Sequence, residues 1–531
     1  VDRRVNSNKQ KVYLLYYSRE ENSQNREGAK RLCKILEPLP TTDHDDVIEK
    51  VIVAVQKLPL NSILISEKDI DLAVKEVSDV DNEEPDVLLQ IIAPEQIPKL
   101  EYSIERNKFV LAATTGKQKL HGTAQDKAAL FRNRYTTVFQ RIKQHKLFRA
   151  APSGTPAHLS HHFKLTKVEF LVGGGCSEEG VVVLGLLTQI VEGQLHVEDD
   201  TGAVRVKLDN ASFHSGLFPY NCLVLVEGHY DEPVLHADAI GLPPPEHPDT
   251  TRALLGNVNY FGGPGTTCAK YDTKLKAAQQ KREAMFVILS DVWLDKIKVV
   301  SKLQSLLSGY SSYPPTAFIL CGNFLSASHT AQQVLGLRDA LTSLGETIAQ
   351  FPALLTQSRF IFVPGPNDPG PSTIYPRPPL PSYLTEGLRK KVPCAEFVSN
   401  PCRLQYCTQE MVVFREDIMT KICRNCIHFP SDADDDDIPT HFGKTLVSQS
   451  HLCPLPLHVV PTYWGRDHCL ALHPTPDFIV VADRADPFTT SSNGAIITNP
   501  GSFMKTDFSF KVYYPNSNLV EDSQIEDTED V

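Results

Sequence analysis

The chain has 531 residues, of which 41% are hydrophobic and 22% are charged, and its formal net charge is −11. This length predicts roughly three or four domains of ordinary globular composition. A negative net charge disfavours a protein that holds nucleic acid through its own phosphate contacts, which need clustered Lys and Arg. The sequence has no run of 18 apolar residues, which argues against a membrane-spanning helix.

The cysteines predict a reducing compartment. Twelve are dispersed along the chain, and several lie within apolar runs, such as Cys33, Cys222 and Cys321. No signal peptide is visible at the start of the sequence. Free buried thiols without a secretory signal are typical of the cytosol or the nucleus.

The first 80 residues predict a small helical domain. Apolar residues recur at helical spacing over 27–36 and 45–58. Ser66 is a candidate N-cap for a third helix that carries Ile70 and Ala73. The acidic stretch 79–86 reads equally well as a linker or a solvated turn, and we assign 81–160 to a linker and one connecting helix.

That connecting helix is predicted over residues 121–147. Its expected buried stripe is Phe131, Tyr135, Val138, Phe139 and Ile142. Its basic residues are Arg132, Arg134, Arg141, Lys143 and Lys146. They are compatible with a nucleic-acid contact, but a solvated helix face is the favoured interpretation because such charge runs are common there.

Residues 161–245 predict a small β-barrel of the OB type. Short β-rich segments separated by turn signals cover 181–187, 193–198, 203–208, 223–227 and 234–239. OB barrels bind single strands through aromatic side chains in a basic groove. These segments carry few such residues, so we favour protein binding or packing over single-strand binding.

Residues 246–515 predict an α/β domain. Buried strands over 286–289, 317–320 and 360–363 alternate with two amphipathic helices. Further strands are predicted over 411–414, 457–460, 478–481, 495–498 and 508–513. We expect a mobile acidic loop over 432–437. We also expect an acidic tail over 516–531, disordered from 521 onward.

Polar residues follow the ends of the first three strands, where open α/β sheets place their sites. They are Asp291, Asn323 after Gly322, and the run Pro366, Asn367 and Asp368 after Gly365. These loops resemble those of the calcineurin-like metallophosphoesterases. That family uses the motifs D-x-H, G-D, G-N-H-(D/E) and a late G-H-x-H to hold two divalent metals about 4 Å apart.

Compared with those motifs, the first three strand ends have lost metal donors. Asp291 is present, but Trp293 stands where the family has a ligand His. Asn323 replaces the bridging carboxylate, Pro366 the ligand Asn, and Asn367 the acid/base His.

The late motif falls on Asp483 and Ala485, where neither His remains. Too few anionic and imidazole donors are left to hold two dications. We therefore expect an inactivated domain with no catalytic residue, no metal and no cofactor.

A zinc site is an alternative in the same domain. Cys402 and Cys407 form one pair and Cys423 and Cys426 another, with His428 and His441 nearby. The spacings of the two pairs differ, and residues 412–414 between them predict a core strand. Free thiols are therefore the favoured interpretation.

The whole chain resembles the B-subunits of replicative DNA polymerases. The resemblance rests on FVILSDVWLD, FILCGN, FVPGPNDPG, RLQYCTQEMVVFRED and TNPGSF, together with a barrel that precedes a degenerate phosphoesterase domain. It covers about residues 27–515. The N-terminal helices resemble those of the epsilon branch, which are similar to the C-terminal part of AAA+ ATPases.

The resemblance implies a multidomain α+β accessory protein of the nucleus without activity of its own. Its barrel and phosphoesterase domain would bind the C-terminal module of the catalytic subunit, and its N-terminal helices the replicative helicase through GINS. Small histone-fold subunits are further expected partners, and contact with DNA would be indirect. The alternatives are an active metal-dependent phosphodiesterase or exonuclease, and a single-stranded-DNA-binding OB protein.

Overall fold

The computed structural model describes residues 67–78, 87–112, 120–149, 163–174, 178–327, 331–371, 373–430 and 436–525, with isolated positions at 31, 34–35, 51 and 54–55. Its strands are β1 (Leu89–Ile92), β2 (Leu100–Ser103), β3 (Lys108–Leu111), β4 (Glu178–Val191), β5 (Gln194–Glu198), β6 (Ala203–Lys207), β7 (Ser212–Phe213), β8 (Leu223–Asp231), β9 (Val234–Gly241), β10 (Phe286–Leu289), β11 (Ala317–Cys321), β12 (Arg359–Val363), β13 (Ala395–Phe397), β14 (Cys402–Tyr406), β15 (Gln409–Arg415), β16 (Phe478–Ala482), β17 (Phe488–Ser492), β18 (Ala495–Asn499), β19 (Ser509–Tyr514) and β20 (Leu519–Gln524).

The helices are α1 (Glu67–Ser78), α2 (Ala124–Gln144), α3 (Val168–Gly174), α4 (Pro248–Leu255), α5 (Thr273–Lys281), α6 (Ile297–Tyr310), α7 (Ala331–Ala349), α8 (Pro352–Gln357), α9 (Ser382–Lys391), α10 (Ile418–Arg424) and α11 (Ile438–Gln449). In the described ranges, none of these helices has both the length and the apolar character needed to cross a membrane.

The predicted OB-type barrel is present. Strands β6, β5, β4, β8 and β9 follow one another, and a parallel pairing of β6 with β9 closes the ring. Alternate residues such as Val181 and Val183 point into the barrel core. Gly228 lies at a register shift between β8 and β9, where a Cβ would come within 2.0 Å of the His236 carbonyl oxygen. Only glycine permits this close strand crossing.

Two six-stranded sheets pack face to face in the second half of the chain. The first has the order β13-β12-β11-β10-β19-β20, with β10 to β13 parallel. The second has the order β1-β14-β15-β16-β18-β17. Ile288, Ile319 and Ile361 of the first sheet share one buried cluster with Val413 and Val480 of the second.

Helices cover the outer faces of both sheets. The apolar sides of α6, α7 and α9 pack on the first sheet, and the apolar side of α11 packs on the second. This order of helix, sheet, sheet and helix explains why the strands read as continuous apolar runs, because both of their faces are buried.

Helix α2 connects the barrel to the second sheet. Of its basic residues, Arg132, Lys143 and Lys146 are exposed as expected, whereas Arg134 and Arg141 point into the fold. Tyr135, Val138 and Ile142 pack on Leu184 and Leu223 of the barrel. On the other side, Arg134 Nε donates to Asp467 Oδ2 at 2.9 Å. The buried Arg141 donates to the carbonyl oxygens of Val447 and Ser448 near the end of α11.

Two predicted elements are wrong in the second half of the chain. Residues 457–460 form a turn instead of a strand, because the Pro456 carbonyl oxygen accepts from Val459 N at 2.9 Å. The tail is not disordered from residue 521, because Leu519–Gln524 forms β20 and pairs with β19. Residues 526–531 lie outside the described part of the chain.

The linker and loop predictions need smaller corrections. Leu89–Ile92, assigned to a linker, forms an edge strand of the second sheet opposite Cys402–Tyr406. In the acidic loop, Asp436 accepts from Ser215 Oγ at 2.7 Å, and Asp437 caps α11 through Thr440 N at 2.9 Å. Residues 431–435 and the acidic stretch 79–86 lie outside the described residues.

The N-terminal region is described only in part. Helix α1 contributes Ile70 and Ala73 to a small apolar cluster with Val51, Ala54 and Val55. The remainder of the helices predicted over 27–36 and 45–58, and the Ser66 cap, fall outside the described residues.

Candidate functional site

The carboxyl ends of β10, β11 and β12 lie side by side because the three strands are parallel, with Leu289 opposite Leu320 and Leu320 opposite Phe362. The loops that follow carry Asp291, Trp293, Asn323, Pro366, Asn367 and Asp368. The loop after β16 in the second sheet carries Asp483 and Ala485. The structure therefore places all eight predicted positions at the ends of strands.

The centre of this strand-end site is Arg415, the last residue of β15, which is fully buried. Its Nη2 donates to Asp291 Oδ1 at 2.8 Å, and its Nη1 donates to Asp417 Oδ1 at 2.9 Å. The same guanidinium donates to the Gly322 and Ala482 carbonyl oxygens. One cation thus joins the strand ends of both sheets.

Arg415 and Asp417 were not predicted from the sequence. The only signal was the run Arg415, Glu416 and Asp417 at the end of an apolar strand, where three charged residues follow a core segment without a turn residue. Charged groups at the end of a buried strand are seldom fully buried unless they are paired. That rule would have marked them as candidates for the site.

Charge balance at Asp291 is set by arginines. Burial alone favours the neutral acid, but Arg415 outweighs it and holds the pKa of the Asp291 carboxyl below its ordinary value. Arg484 adds a second cation, with Nε 3.6 Å from Asp291 Oδ2 and 3.7 Å from Asp417 Oδ2. Asp291 is therefore an ionised group whose charge is already matched.

Asn323 joins two of the strand-end loops. Its backbone N and its Nδ2 lie 3.1 and 3.3 Å from Asp291 Oδ1, and both donate to it. Its Oδ1 accepts from Asn367 N at 2.8 Å. A carboxylate at this position would lack the donor that faces Asp291 and would add a second negative charge beside it. The side-chain amide of Asn323 therefore stabilises the ionised Asp291 carboxylate, which a carboxylate at this position could not do.

Asp368 is engaged by backbone amides. Its Oδ1 accepts from Phe324 N and its Oδ2 from Gly365 N, each at 2.7 Å. Burial raises the pKa of this carboxyl to about 6, although both amide donors favour the ionised form. Pro366 contributes only its carbonyl oxygen, which accepts from Arg377 Nη1 at 2.7 Å.

The raised pKa of Asp368 predicts a pH effect on stability. An unfolded Asp titrates near 4, so between about pH 4 and 6 the folded chain keeps a proton that the unfolded chain releases. This carboxyl therefore weakens the fold as pH rises through that window. From pH 5 to 7.5, we expect the free energy of unfolding of wild type to fall by about 1 kcal/mol relative to Asp368→Asn.

Urea unfolding at several pH values measures this difference. The exposed Asp339→Asn is the matched control, and its difference from wild type should not change with pH. A constant difference for Asp368→Asn would show that the carboxyl is ionised throughout the range.

Asp483 is directed to helix α10. Its Oδ2 accepts from Met419 N at 2.9 Å, and its Oδ1 accepts from Ala485 N at 2.9 Å and from Thr420 Oγ1 at 3.2 Å. It therefore caps α10.

Trp293 is 8% exposed, and Lys505 Nζ lies 5.9 Å from the centroid of its ring.

The donor set does not fit a pair of dications. Within the described ranges, no group of three or more His, Cys, Asp or Glu side chains is arranged to hold a metal ion. The carboxylates at the site are already engaged, Asp291 and Asp417 by Arg415, Asp368 by loop amides and Asp483 by the start of α10. A metal ion that bound Asp291 would have to displace the buried Arg415 guanidinium. If the guanidinium stayed in place, its positive charge would repel the metal ion.

The cysteines of the zinc alternative do not come together. Cys402 and Cys407 lie in the core between the sheets, whereas Cys423 and Cys426 pack near the barrel with the second-sheet helices. Burial raises the pKa of the Cys426 thiol to about 12. His428 stacks on Phe213 with ring centroids 3.9 Å apart.

A second feature is an open groove of about 890 Å³ where three parts of the chain meet. One wall is α2, with Lys127, Phe131, Arg132 and Tyr135. The barrel wall includes Leu186, Glu198, Asp199 and Asp200, and the third wall is residues 456–458. Apolar residues and charges of both signs line this barrel groove.

Three family profiles match different parts of the chain. The profile of the B-subunits of DNA polymerases alpha and epsilon covers residues 286–490. Those described as DNA polymerase epsilon subunit 2-like, OB-fold domain, and DNA polymerases epsilon N terminal cover residues 124–244 and 24–77. Together they follow the same order as the regions predicted from the sequence.

Curated relatives match over most of their length. DNA polymerase epsilon subunit 2 of Bos taurus is 46% identical over 504 residues, which cover 94% of this chain and 95% of that protein. The Homo sapiens subunit is 45% identical with the same coverage. A solved archaeal phosphodiesterase aligns over 45% of this chain and 99% of its own at 9% identity, with a TM-score of 0.27.

Proposed function

The chain belongs to the family of second subunits of DNA polymerase epsilon, and we propose that it is a non-catalytic scaffold within that polymerase. The observation that carries the proposal is the buried Arg415, whose guanidinium lies between the strand ends of the two sheets. A phosphoesterase of this architecture would need two divalent metals in that region.

The chemistry of the site supports a structural role. Two divalent metals together carry roughly four positive charges. They need several carboxylate or imidazole ligands, one of which both metals share. Here Arg415 pairs with both Asp291 and Asp417, Arg484 supplies the second positive charge, and Asn323 supplies donors to Asp291. These side chains provide neither a means of activating a water molecule nor a Lewis acid. We therefore assign the domain no hydrolytic activity.

We further propose that the C-terminal module of the catalytic subunit binds in the barrel groove. This groove joins three parts of the chain, so one partner seated in it would contact the barrel, α2 and the second-sheet side at once. The ion pair of Arg134 with Asp467 holds α2 in place beside it. A groove with rigid walls lowers the entropic cost of binding.

The N-terminal region is proposed to bind the replicative helicase through GINS, which would place the chain in the nucleus with only indirect contact to DNA. The match of residues 24–77 to the N-terminal family profile supports this assignment. Leu72 of α1 is 55% exposed and offers an apolar contact on that region. The small histone-fold subunits would join the same holoenzyme.

Co-expression with the catalytic subunit's C-terminal module tests the scaffold. We expect the two chains to elute as one complex at micromolar concentration. Leu457→Asp, on the groove wall, should weaken the complex at least about tenfold because it puts a charge into an apolar contact. Leu335→Asp is the matched control, since Leu335 is 52% exposed on α7, away from the groove. Separate elution of the wild-type chains would contradict the proposal.

A nuclease assay tests the enzymatic alternative. With Mn²⁺ and single- or double-stranded DNA, we expect the purified chain to release no nucleotide above the background of an Asp291→Asn preparation. Mn²⁺-dependent cleavage by wild type that Asp291→Asn abolishes would overturn the non-catalytic assignment.

The barrel groove is also a poor single-strand site. Glu198, Asp199 and Asp200 lie along its barrel wall, and Asp199 is held by its bonds to Thr201 and Gly202. Carboxylates repel the phosphate backbone that such a groove must follow. We therefore expect no binding to a single-stranded oligonucleotide even at about 50 mM salt, as measured by fluorescence anisotropy.

A further inference from the structure

A cavity of about 100 Å³ lies between helix α2 and the second sheet. Its walls include α2, residues 98–100 and residues 464–473, and Arg403 of β14 lines it from the sheet. A single water needs roughly 10–15 Å³, so the cavity has room for one tetrahedral oxyanion or for several waters. Lys99, whose side chain is 37% exposed, and the exposed Gly465 also line it and open it to solvent.

Arg403 brings a buried positive charge to this cavity. It is 6% exposed, with Nη1 donating to the Phe261 carbonyl oxygen at 3.1 Å and Nη2 to the Ala471 carbonyl oxygen at 2.9 Å. In the described part of the chain, its hydrogen bonds all go to carbonyl oxygens, and its Nε has no partner. A buried cation without a carboxylate partner is costly, and a bound anion would remove that cost.

The other charged side chains at the cavity are already engaged. Three cations and two carboxylates line it, so its net charge is positive. Apart from Arg403 they are Arg134, bound to Asp467; Lys99, bound to Glu101; and Asp126, which accepts from the backbone N of Thr123. The positive charge of Arg403 is therefore the one that lacks a counter-ion among the side chains lining the cavity.

Two neutral imidazoles complete the wall. Burial, followed by the charge of Arg403, lowers the pKa of His468 to about 4. Burial, followed by the charge of Arg141, lowers the pKa of His473 to about 3. A neutral ring still donates one hydrogen bond. His473 Nε2 is buried and has no hydrogen-bond partner among the described residues, so it offers a second unused donor beside Arg403 Nε.

We propose that this cavity binds one phosphate-type oxyanion, held by Arg403 Nε and His473 Nε2. A charge-assisted hydrogen bond to the guanidinium supplies most of the attraction, and the imidazole selects the orientation of the ion. The volume admits free phosphate but not a nucleotide. Because α2 is also a wall of the barrel groove, the bound ion fixes that wall against the second sheet.

Thermal unfolding of the full chain with inorganic phosphate tests the proposal. At about 10 mM phosphate, we expect the melting temperature of wild type to lie about 2–3 °C above its value in chloride of equal ionic strength, because the ion binds only the folded chain. Arg403→Gln removes the unmatched charge and should abolish this rise. Ala129→Leu, on the cavity wall, fills the space without removing a polar group and should abolish it too.

Two control variants should keep the full rise. Ala128→Leu is on the same helix, but Ala128 lines the barrel groove instead of the cavity. Arg389→Gln matches Arg403→Gln, because the Cζ atoms of Arg389 and Arg403 lie 5.1 and 5.2 Å from the centroid of a Phe ring, and Arg389 is exposed.

Deoxyadenosine monophosphate carries the same phosphate group but is too large for the cavity, so it should produce no rise. An equal rise with this nucleotide would overturn the proposal, because the ion would then bind on the surface. So would the absence of a rise in wild type, or a rise that Ala129→Leu retains. The Ala129→Leu result decides the matter even if Arg403→Gln does not fold.

Discussion

Replacing Arg415 by Met is expected to lower the free energy of unfolding by about 3–5 kcal/mol. The substitution keeps most of the side-chain volume but leaves the Asp291 and Asp417 carboxylates without their shared cation. Asp291 is 1% exposed, so solvent cannot replace the guanidinium. The lost bonds to the Gly322 and Ala482 carbonyl oxygens add to the cost. Urea unfolding measures the difference.

Two further variants separate the buried charge from a general effect of losing an arginine. Arg338→Met removes an exposed pair with Asp339 and should cost less than about 1 kcal/mol. Adding Asp291→Asn to Arg415→Met should restore part of the loss, because the unpaired buried charge is then gone. Additive losses in that double variant would show that Arg415 and Asp291 do not act as a pair.

Replacing Arg134 by Met is expected to cost about 2–4 kcal/mol and to loosen α2 from the second sheet. Its guanidinium makes a two-point contact with Asp467 and also donates to the Cys453 carbonyl oxygen. Burial opposes ionisation of Asp467, but Arg134 outweighs it, and the pKa of Asp467 lies well below its ordinary value. Arg132→Met, exposed on the same helix, is the matched control.

The cost of Arg134→Met should depend on pH. His451 Nε2 lies 3.2 Å from Asp467 Oδ1, and burial, followed by the charge of Arg134, lowers the pKa of His451. Without Arg134, a protonated His451 can pair with Asp467, a gain that is present below about pH 6.5 and is lost at higher pH. We therefore expect a smaller loss at about pH 5.5 than at about pH 8. Equal losses would exclude this compensation.

The sequence predicted the positions of strands and helices better than the contacts that they make with distant parts of the chain. Apolar runs such as Phe286–Leu289 and Phe478–Ala482 were identified because a strand buried on both faces has little choice of side chain. The turn at 457–460 was missed because Leu457, Val459 and Val460 read as a strand, whereas Pro456 closes a turn through its carbonyl oxygen. Strand β20 was missed because only its first two residues are apolar and Glu521 and Asp522 follow them, which an exposed edge strand tolerates.

The site was predicted only in part, because local sequence patterns reveal strand ends but not pairs of distant residues. The strand-end residues could be found because they follow recognisable strands, and their chemistry could be compared with known motifs one position at a time. Arg415 could not be assigned a role, because its partner Asp291 lies 124 residues away. Arg134 and Asp467 are 333 residues apart, so their pairing leaves no periodicity to detect.

By itself, the sequence determined the buried central strands of both sheets, the barrel, and the order of the polar strand ends. These features depend on local side-chain chemistry and on short-range periodicity, which the order of residues contains. Only the tertiary structure decided which charges are buried together, that a guanidinium lies between the two sheets, and that α2 is an internal connection. The physical reason is that burial and charge pairing depend on contacts between residues distant in the chain, and these exist only once both sheets and the barrel have packed.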